Sequence, residues 1–366
     1  MKKDIILGFG EVMLRLCPPE FKRLRQSLPG SLEATFGGGE ANVCASIAMF
    51  GSSARYLTAL PNNPITESFF AQMKGLDVDV SSVVLKENSR MGVYFVEIGA
   101  NQRASSVIYD REFSAVSMTG PEEYDYDKVL DGVKHVHITG ITPSLSEKAF
   151  NATFELVKEA QKVGAKVSCD LNYRKKLWNW HSEMKKQKLA DYCMSQIIPY
   201  VDIVIANEED ATDVFGIVAE NSSITSGHID INGYKSVAKQ IINRFPNVSQ
   251  VAITLRESKS ATHNNWGAML FDADSNSSVF APIDKDGNYC PYEIKNIVDR
   301  VGGGDSFGAG LIHALYSDDL PTNQNVICFA VAASCLKHSI KGDFNYVSRD
   351  EVLSLMGGDA SGRVKR

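Results

Sequence analysis

Three consecutive glycines followed by an aspartate form the segment of this chain that is best suited to chemistry. Gly302, Gly303 and Gly304 stand directly before Asp305, and apolar residues then recur with the spacing of one buried helix face. Glycine lets backbone N–H groups approach a ligand closely, and a helix N-terminus favours phosphate oxygens. A carboxylate at that point can accept a proton from a reacting group. The segment therefore predicts a phosphate-binding loop with a base beside it.

Other interpretations of the glycine-rich segments are weaker. A tight turn into a core helix is the plain alternative, but Gly308 and Gly310 each cost about 1 kcal/mol inside the helix, which indicates close packing or close approach of a ligand. The chain contains no Gly-Lys pair, which excludes a Walker loop. Gly8 and Gly10 follow the first predicted strand, but Met13 stands where a dinucleotide-binding motif has its third glycine, which disfavours a dehydrogenase.

The composition is that of an ordinary globular protein. The 366 residues are 44% hydrophobic and 22% charged, and the net charge of −6 argues against nucleic acid as the main partner. Seven scattered cysteines form no Cys-x-x-Cys pair, so neither a zinc site nor a disulfide framework is predicted. The first apolar run is too short for a signal peptide, and no run is long enough to span a membrane. We therefore expect a cytoplasmic protein.

Strand and helix patterns alternate along most of the chain. The predicted strands include residues 4–9, 54–58, 135–139, 165–170, 203–206 and 251–255, and helical patterns lie between and after them. This order predicts an α/β fold with a mostly parallel sheet covered on both faces. Ligands of such sheets bind at the carboxyl ends of the strands, where we expect Asn172, Asn207 and Thr254.

Two segments interrupt the alternation of strand and helix. Residues 11–36 and 88–113 contain extended, partly polar stretches with no helix between them. We expect them to form a small antiparallel β lid over the active edge, while residues 1–10, 37–87 and 114–366 form the α/β domain. An exposed apolar face on such a lid favours covering the site, dimerisation, or both.

A second glycine-rich motif, Phe-Gly-Gly-Gly-Glu-Ala-Asn, occupies residues 36–42. Together with residues 302–305 it gives the chain a resemblance to the ribokinase-like sugar kinases, also called the PfkB family, whose Gly-Gly-x-x-x-Asn motif meets sugar hydroxyls. Residues 302–305 resemble the family's loop with the catalytic base. Residues 207–210 resemble its Asn-x-x-Glu element, associated with magnesium and phosphates, with Asp210 where glutamate is usual. The resemblance covers nearly the whole chain and implies a three-layer sandwich with a β lid, binding ATP and Mg²⁺.

The resemblance also implies roles for individual residues. The catalytic group would be Asp305 with Gly302, Gly303 and Gly304. The sugar would contact Gly37, Gly38, Gly39, Asn42, Tyr94, Tyr109, Arg111, Arg174 and Asp305. ATP would contact Asn172, Asn207, Thr254, Arg256, Ser258, Lys259, Gly302 and Gly304, although Arg256 replaces the family's usual glycine. Asp210 would reach the metal through water.

Within the family, the chain is most similar to kinases of 2-keto-3-deoxygluconate. Many members that act on neutral sugars have aspartate in place of Arg15 and threonine in place of Arg300, so an acidic substrate is implied. Tyr109 and Arg111 would share one face of a strand, and Arg174 follows another strand. A guanidinium can bind a carboxylate with two parallel hydrogen bonds. The alternative for each arginine is a surface ion pair.

The implied reaction is ATP-dependent phosphorylation of the terminal hydroxyl of an acidic keto sugar, with 2-keto-3-deoxygluconate converted to its 6-phosphate. One alternative is a kinase for a neutral or different keto sugar, such as fructose, ribose or 5-dehydro-2-deoxygluconate. A non-catalytic sugar or nucleotide sensor is the second. We also expect a homo-oligomer, a dimer through the lid or a larger assembly, with no nucleic-acid or membrane partner.

Overall fold

The computed structural model of the chain describes residues 4–207, 209–218 and 231–359. Its strands are β1 (Ile5–Phe9), β2 (Met13–Cys17), β3 (Glu33–Gly37), β4 (Ser53–Leu57), β5 (Ala59–Pro61), β6 (Val78–Asp79), β7 (Val84–Lys86), β8 (Gly92–Glu97), β9 (Ser106–Asp110), β10 (Val133–Thr139), β11 (Lys166–Asp170), β12 (Ile203–Ala206), β13 (Gln250–Ser260), β14 (His263–Asp272), β15 (Ser277–Ala281) and β16 (Tyr292–Lys295). Its helices are α1 (Leu24–Ser27), α2 (Gly39–Met49), α3 (Pro64–Gly75), α4 (Tyr126–Leu130), α5 (Ile141–Leu145), α6 (Glu147–Lys162), α7 (Lys186–Ile197), α8 (Asp210–Phe215), α9 (Ile231–Arg244), α10 (Gly303–Leu315), α11 (Asn323–Lys337) and α12 (Arg349–Met356). In the described part of the chain, no helix is both long and apolar enough to cross a bilayer.

The largest sheet has ten strands in the order β15-β14-β13-β12-β11-β10-β1-β4-β6, with β16 also paired to β14. In this sheet, the neighbouring strands from β13 through β12, β11, β10, β1 and β4 to β6 all pair in parallel, whereas β14 pairs antiparallel with β13, β15 and β16. The prediction of a mostly parallel sheet is confirmed. The long β13–β14 hairpin was not predicted, because β13 was expected to end at Leu255 and instead continues through Arg256 to Ser260.

Helices cover both faces of the large sheet. Helices α2, α3, α10, α11 and α12 contribute to the core on one face, and α4, α6, α7, α8 and α9 to the core on the other. Strand β12 shows why both faces of the sheet must be covered. Its residues Ile203 and Ile205 belong to one core, while Val204 and Ala206 belong to the other. Successive side chains of a strand point to opposite faces, so a strand buried on both sides is apolar throughout. The predicted three-layer α/β sandwich is confirmed.

A second sheet of four strands, in the order β3-β2-β8-β9, forms the lid. Its outer pairings, β2 with β3 and β8 with β9, are antiparallel, as predicted. Its central pairing of β2 with β8 is parallel, which corrects the expectation of a fully antiparallel lid. The two halves come from distant parts of the chain and need no hairpin between them, so antiparallel pairing is not imposed there. The boundaries given above for the lid and the α/β domain stay predictions.

Helix α10 packs closely on α11, and Gly310 allows this approach. A Cβ at Gly310 would lie 2.9 Å from the Cα of Ala330. Real side-chain carbons are essentially never this close to backbone atoms, so only glycine fits without movement of the helices. Close packing therefore compensates for glycine inside the helix that begins at the Gly302 to Gly304 loop.

Candidate active site

A cleft of about 580 Å³ lies at the carboxyl ends of β11, β12 and β13, beside the N-terminus of α10. This is the edge at which ligands of parallel sheets bind. Its walls come from the lid, the strand ends and the glycine loop. The lining residues include Tyr94, Val107, Tyr109, Asp170, Asn172, Arg174, Asn207, Asp210, Thr254, Arg256, Gly302, Gly303, Gly304 and Asp305.

Asp305 lies in the first turn of α10 and is partly open to the cleft. Its Oδ2 accepts a 2.6 Å hydrogen bond from the side-chain amide of Asn42 on α2. Burial raises the pKa of Asp305 to about 6, and the charge of Asp343 adds to this effect. The Asn42 hydrogen bond and the charges of Arg174 and Lys337 act in the opposite direction. The result is a carboxylate whose pKa suits a general base better than that of an ordinary aspartate.

The three glycines before Asp305 meet different constraints. Gly302 N-caps α10 with a left-handed φ of 84°, and a side chain there would overlap the carbonyl oxygen of Asp343. A Cβ at Gly303 would lie 3.0 Å from Cε1 of His338, whereas a Cβ at Gly304 would meet nothing within 4 Å. The N–H groups of Gly304 and Asp305 have no acceptor among the described residues. They are the unpaired donors of a helix N-terminus and are available to an anion.

Glu40, a second buried carboxylate, fixes the turn of α2 that carries Asn42. Its Oε1 accepts hydrogen bonds from the N–H of Thr139 at 3.1 Å, from the Thr139 hydroxyl at 2.8 Å and from the Thr142 hydroxyl at 3.2 Å. Burial raises the pKa of Glu40 to about 7, against the opposing effect of the threonine hydrogen bonds. A side chain at Gly10 would overlap the Glu40 carboxylate. Gly10 therefore serves the packing of α2.

The predicted sugar-binding glycines, Gly37, Gly38 and Gly39, lie where α2 begins. A Cβ at Gly37 would lie 2.5 Å from the Tyr94 hydroxyl, and a Cβ at Gly39 would lie 3.7 Å from Oδ1 of Asp305. None of the three is among the residues that line the cleft. Their missing side chains instead allow the lid, α2 and the base to approach one another.

Two lid tyrosines and one arginine line the cleft. Tyr94 and Tyr109 are cross-strand neighbours on β8 and β9, with ring centres 6.0 Å apart and an interplanar angle of 28°. Arg174 lines the same cleft, and its Nη1 donates only to the carbonyl of Tyr173, at 3.3 Å. No carboxylate among the described residues forms an ion pair with Arg174. Its guanidinium therefore remains available to an acidic ligand.

Arg111 was expected to contact the sugar directly, but the structure places it in a buried ion pair. Its Nε donates to Oε2 of Glu11 at 2.7 Å, and both side chains are buried. Arg111 is not among the cleft-lining residues, although its guanidinium carbon lies 5.3 Å from the ring centre of Tyr109. A buried cation without a partner is costly, which explains the pairing with Glu11. Arg111 therefore reaches the cleft only through Tyr109.

Arg15 is also buried rather than exposed to a ligand. Its Nη2 donates to Oδ2 of Asp299 at 2.6 Å and its Nη1 to Oδ1 of Asp343 at 2.7 Å. Because Arg15 belongs to the lid strand β2 and both acids belong to loops of the α/β domain, the guanidinium ties these two parts together. Arg300 binds the tip of the β13–β14 hairpin, donating to the carbonyls of Ser260 and Ala261. The two arginines that had indicated an acidic substrate thus have partners within the protein.

Asp210, the predicted metal-associated residue, has both oxygens engaged by backbone donors. Oδ1 accepts from the N–H of Tyr173 and Oδ2 from that of Asn207, each at 3.0 Å. Burial raises the pKa of Asp210 and of Asp170, and the charge of Asp210 adds to the effect on Asp170. Each carboxylate oxygen keeps a second lone pair, so Asp210 fits a water-mediated contact with Mg²⁺. No group of three or more acidic, His or Cys side chains within the described ranges is placed to hold a metal directly.

The family model of the pfkB family carbohydrate kinases matches residues 6–342 of this chain. That range includes the glycine loop, Asp305, Asn42 and both halves of the lid. The chain belongs to the pfkB family of carbohydrate kinases. It is therefore a carbohydrate kinase, and the family resemblance stated from the motifs is confirmed.

The chain is similar to a 2-dehydro-3-deoxygalactonokinase and a 2-dehydro-3-deoxygluconokinase, and it shares its fold with a fructokinase. The 2-dehydro-3-deoxygalactonokinase of Haloferax volcanii is 29% identical, covering 97% of this chain and 98% of its own. The crystal structure of 2-dehydro-3-deoxygluconokinase from Thermotoga maritima is 39% identical with a TM-score of 0.85, covering 97% of this chain and all of its own. A fructokinase with bound ATP from Xylella fastidiosa is 17% identical with a TM-score of 0.74, covering 98% of this chain and all of its own.

The residues predicted for the nucleotide site of this pfkB kinase lie partly in the cleft and partly outside it. Asn172, Asn207, Thr254 and Arg256 line the cleft, but Ser258 and Lys259 do not. Lys259 forms an ion pair with Glu257 at 3.2 Å, on the strand face opposite to Arg256. Sequence reasoning missed Asn264 and Trp266, which line the cleft from β14. The cleft is also lined by Arg300, which had implied an acidic substrate, and by His338, which follows α11. The only signal for the first two was the period-two pattern of an unrecognised strand.

Proposed function

We propose that this kinase transfers the γ-phosphoryl group of ATP to the terminal hydroxyl of an acidic keto sugar, converting 2-keto-3-deoxygluconate to its 6-phosphate. The observation that carries the proposal is Arg174, a guanidinium that lines the cleft and forms no ion pair with a carboxylate of the described residues. Its charge counteracts the effect of burial on the pKa of Asp170, Asp210 and Asp305. A sugar carboxylate would supply an ion-pair partner for Arg174. The names of the Haloferax and Thermotoga relatives support the same substrate class.

Asp305 is the proposed base for this reaction. The sugar hydroxyl would lie beside Asp305, and its proton would pass to the carboxylate as its oxygen bonds to the γ-phosphorus. The bond between that phosphorus and the bridging oxygen of ADP breaks in the same step. Charge on the moving group would be met by the unpaired N–H groups of Gly304 and Asp305. Arg174 would orient the sugar from the opposite end of the molecule.

ATP would extend from the glycine loop toward β13. Arg256 lines the cleft from this strand, and no acidic side chain among the described residues forms an ion pair with it. Mg²⁺, when bound with ATP, supplies charge neutralisation across the phosphates, which is the common arrangement for this ion. Asp210 would hold the hydrated ion through a water molecule. An ATP-bound fructokinase with the same fold is consistent with this choice of nucleotide.

A sugar panel assayed with ATP and magnesium tests the proposal. We expect a higher kcat/KM for 2-keto-3-deoxygluconate than for fructose or ribose. In Arg174→Met, loss of a charged hydrogen bond of about 1.5–3 kcal/mol should lower that kcat/KM by about 10- to 150-fold. Fructose turnover should change little. Lys176→Met is the matched control, because Lys176 is exposed and does not line the cleft.

Two other functions would give different results in the same assay. A kinase of neutral sugars would prefer fructose or ribose and would be insensitive to Arg174→Met. A sugar or nucleotide sensor would consume no ATP with any member of the panel. The presence of Asp305 in contact with Asn42 favours catalysis over sensing. Dimerisation through the lid stays a prediction, which sedimentation of the purified protein would test.

A further inference from the structure

Lys337, the last residue of α11, is a fully buried lysine at 0% exposure. Lysine is almost never fully buried unless it is paired. Its ammonium donates one hydrogen bond, to the carbonyl of Ile340 at 3.0 Å, although an ammonium has three donors. The nearby acids, Asp299 and Asp343, form their ion pairs with Arg15 instead. Within the described part of the chain, Lys337 therefore has neighbouring negative charge but no ion pair of its own.

The side chain of Lys337 lies against the residue at which the glycine loop turns into α10. A Cβ at Gly302 would stand 3.2 Å from Cε of Lys337. The ammonium interacts electrostatically with Asp299, Asp343 and Asp305, although burial lowers its pKa. A charge in such a poorly hydrated position acts on its surroundings more strongly than a charge in water. The loop that would bind the phosphoryl group during transfer thus has the ammonium of Lys337 behind it.

We propose that Lys337 is a positioning residue of the phosphoryl-transfer site: its ammonium fixes the turn at Gly302 and places positive charge behind the glycine loop. This inference rests on the proposed function, because it assigns a role at the same loop. Burial of an ammonium costs several kcal/mol, and an apolar side chain would fill the space at lower cost. The charge itself, rather than the volume of the side chain, is therefore the feature that needs a function.

A purely structural interpretation makes a different prediction. In that case Lys337 would only satisfy the Ile340 carbonyl beyond the end of α11, and its loss would lower stability without changing the turnover of the folded enzyme. Lys337→Met keeps most of the volume and removes the charge, and Lys337→Ala removes both. Lys341→Ala is the matched control, because that lysine lies four residues further on, exposed and paired with Glu33.

The experiment measures kcat and KM for 2-keto-3-deoxygluconate in all four proteins, after urea unfolding has established the folded fraction. We expect both Lys337 variants to lose about 10²-fold in kcat, similar to the removal of one anion-hole donor elsewhere, with little change in KM. Lys341→Ala should match the wild type. Methylammonium chloride should restore kcat in Lys337→Ala, in a saturable manner, because the ion can occupy the vacated space. It should not restore Lys337→Met, in which the side chain fills that space.

The inference is overturned if both variants turn over within about threefold of the wild type. Equal stimulation of the alanine and methionine variants by methylammonium would also overturn it. If Lys337→Ala does not fold, the methionine variant alone decides through its kcat. A wild-type protein inactive on every sugar would instead contradict the proposed function, so the two failures are distinguishable.

Discussion

The side-chain amide of Asn42 donates a 2.6 Å hydrogen bond to Asp305, a residue 263 positions further along the chain. The bond orients the carboxylate toward the cleft and lowers its pKa against the effect of burial. It also joins the two glycine-rich motifs, since Asn42 belongs to the helix that follows the first and Asp305 to the helix that follows the second. The base of the proposed reaction is therefore positioned by the sugar-side motif.

Replacement of Asn42 by alanine should raise the pKa of Asp305 further above its value of about 6, because a hydrogen bond that favours the ionised form is lost. The base must be ionised to accept a proton, so the acid limb of the kcat/KM profile should move to higher pH. The measurement is kcat/KM between pH 5 and 9. Ser46→Ala, one turn further along α2, is the control. An unshifted acid limb would show that the limb does not report on Asp305.

Asp305→Asn should lower kcat by about 10²–10⁴-fold, the usual contribution of a general base. The variant should still bind ATP, which calorimetry would measure. A carboxyl group with a raised pKa stabilises the fold while protonated and loses that contribution as the pH rises through about 6. Removal of the charge should therefore increase the free energy of unfolding at pH 8. Asp318→Asn, an exposed acid beyond the same helix, should change neither quantity; near-normal turnover of Asp305→Asn would refute the assignment.

The fold could be predicted from the sequence because local patterns determine it. The segment 203–206 was predicted as a strand and is β12 with the same bounds. The helix predicted over 147–164 is α6, Glu147–Lys162. The continuous apolar run of the strand and the helical period of apolar residues in α6 both report burial directly. The glycine loop could also be predicted from the sequence, since its three glycines and Asp305 are consecutive in the chain.

Charge partners could not be predicted in the same way. Arg15 and Asp299 are 284 positions apart, and Arg111 and Glu11 are 100 positions apart. Residue type alone does not distinguish an arginine that awaits a ligand from one neutralised by a distant acid. The burial of Lys337 could not be predicted for the same reason, because it depends on the packing of α11 against the glycine loop. Arg174 remained unpaired and was predicted on the same grounds as Arg111.

Arg15→Met should destabilise the protein by about 3–5 kcal/mol, because it leaves two acids buried without their cation. Adding Asp299→Asn and Asp343→Asn should recover much of this loss by removing the unpaired charges. The measurement is urea unfolding of the three proteins. Arg23→Met gives the control, since the exposed pair of Arg23 with Glu97 is worth about 0–1 kcal/mol. Equal costs for Arg15→Met and Arg23→Met would contradict the buried network.

Two glycines of α10 should respond differently to replacement by alanine. At Gly310 the new Cβ would stand 2.9 Å from the backbone of Ala330, so α10 and α11 must separate, at a cost of about 1–3 kcal/mol. At Gly304 a Cβ meets nothing within 4 Å, so stability should be unchanged. Because Gly304 belongs to the glycine loop, the added methyl group should nevertheless lower kcat. Thermal unfolding and sugar-kinase assays on both variants check this; a destabilised Gly304→Ala would contradict the open space described here.

Two buried histidines should make the protein less stable in acid. His135 and His137 share the Ser168 hydroxyl at 2.7 and 2.8 Å, and burial lowers the pKa of each to about 3. Between pH 6.5 and 3 the unfolded chain therefore takes up protons that the folded protein excludes. Each histidine should reduce the free energy of unfolding by about 1.4 kcal/mol per pH unit as the pH falls through that window.

The carboxyls of Asp305 and Glu40 act in the opposite direction, because their raised pKa values favour protonation in the folded state. The total pH profile of the wild type is therefore a sum of opposing effects, and variants are needed to isolate the histidines. His137→Asn keeps a polar partner for Ser168 without a titrating group. Its free energy of unfolding, measured by urea at pH 7.5 and pH 5, should fall less between the two conditions than that of the wild type. An identical fall would mean that His137 takes up its proton equally in the folded and the unfolded protein, and would contradict this prediction.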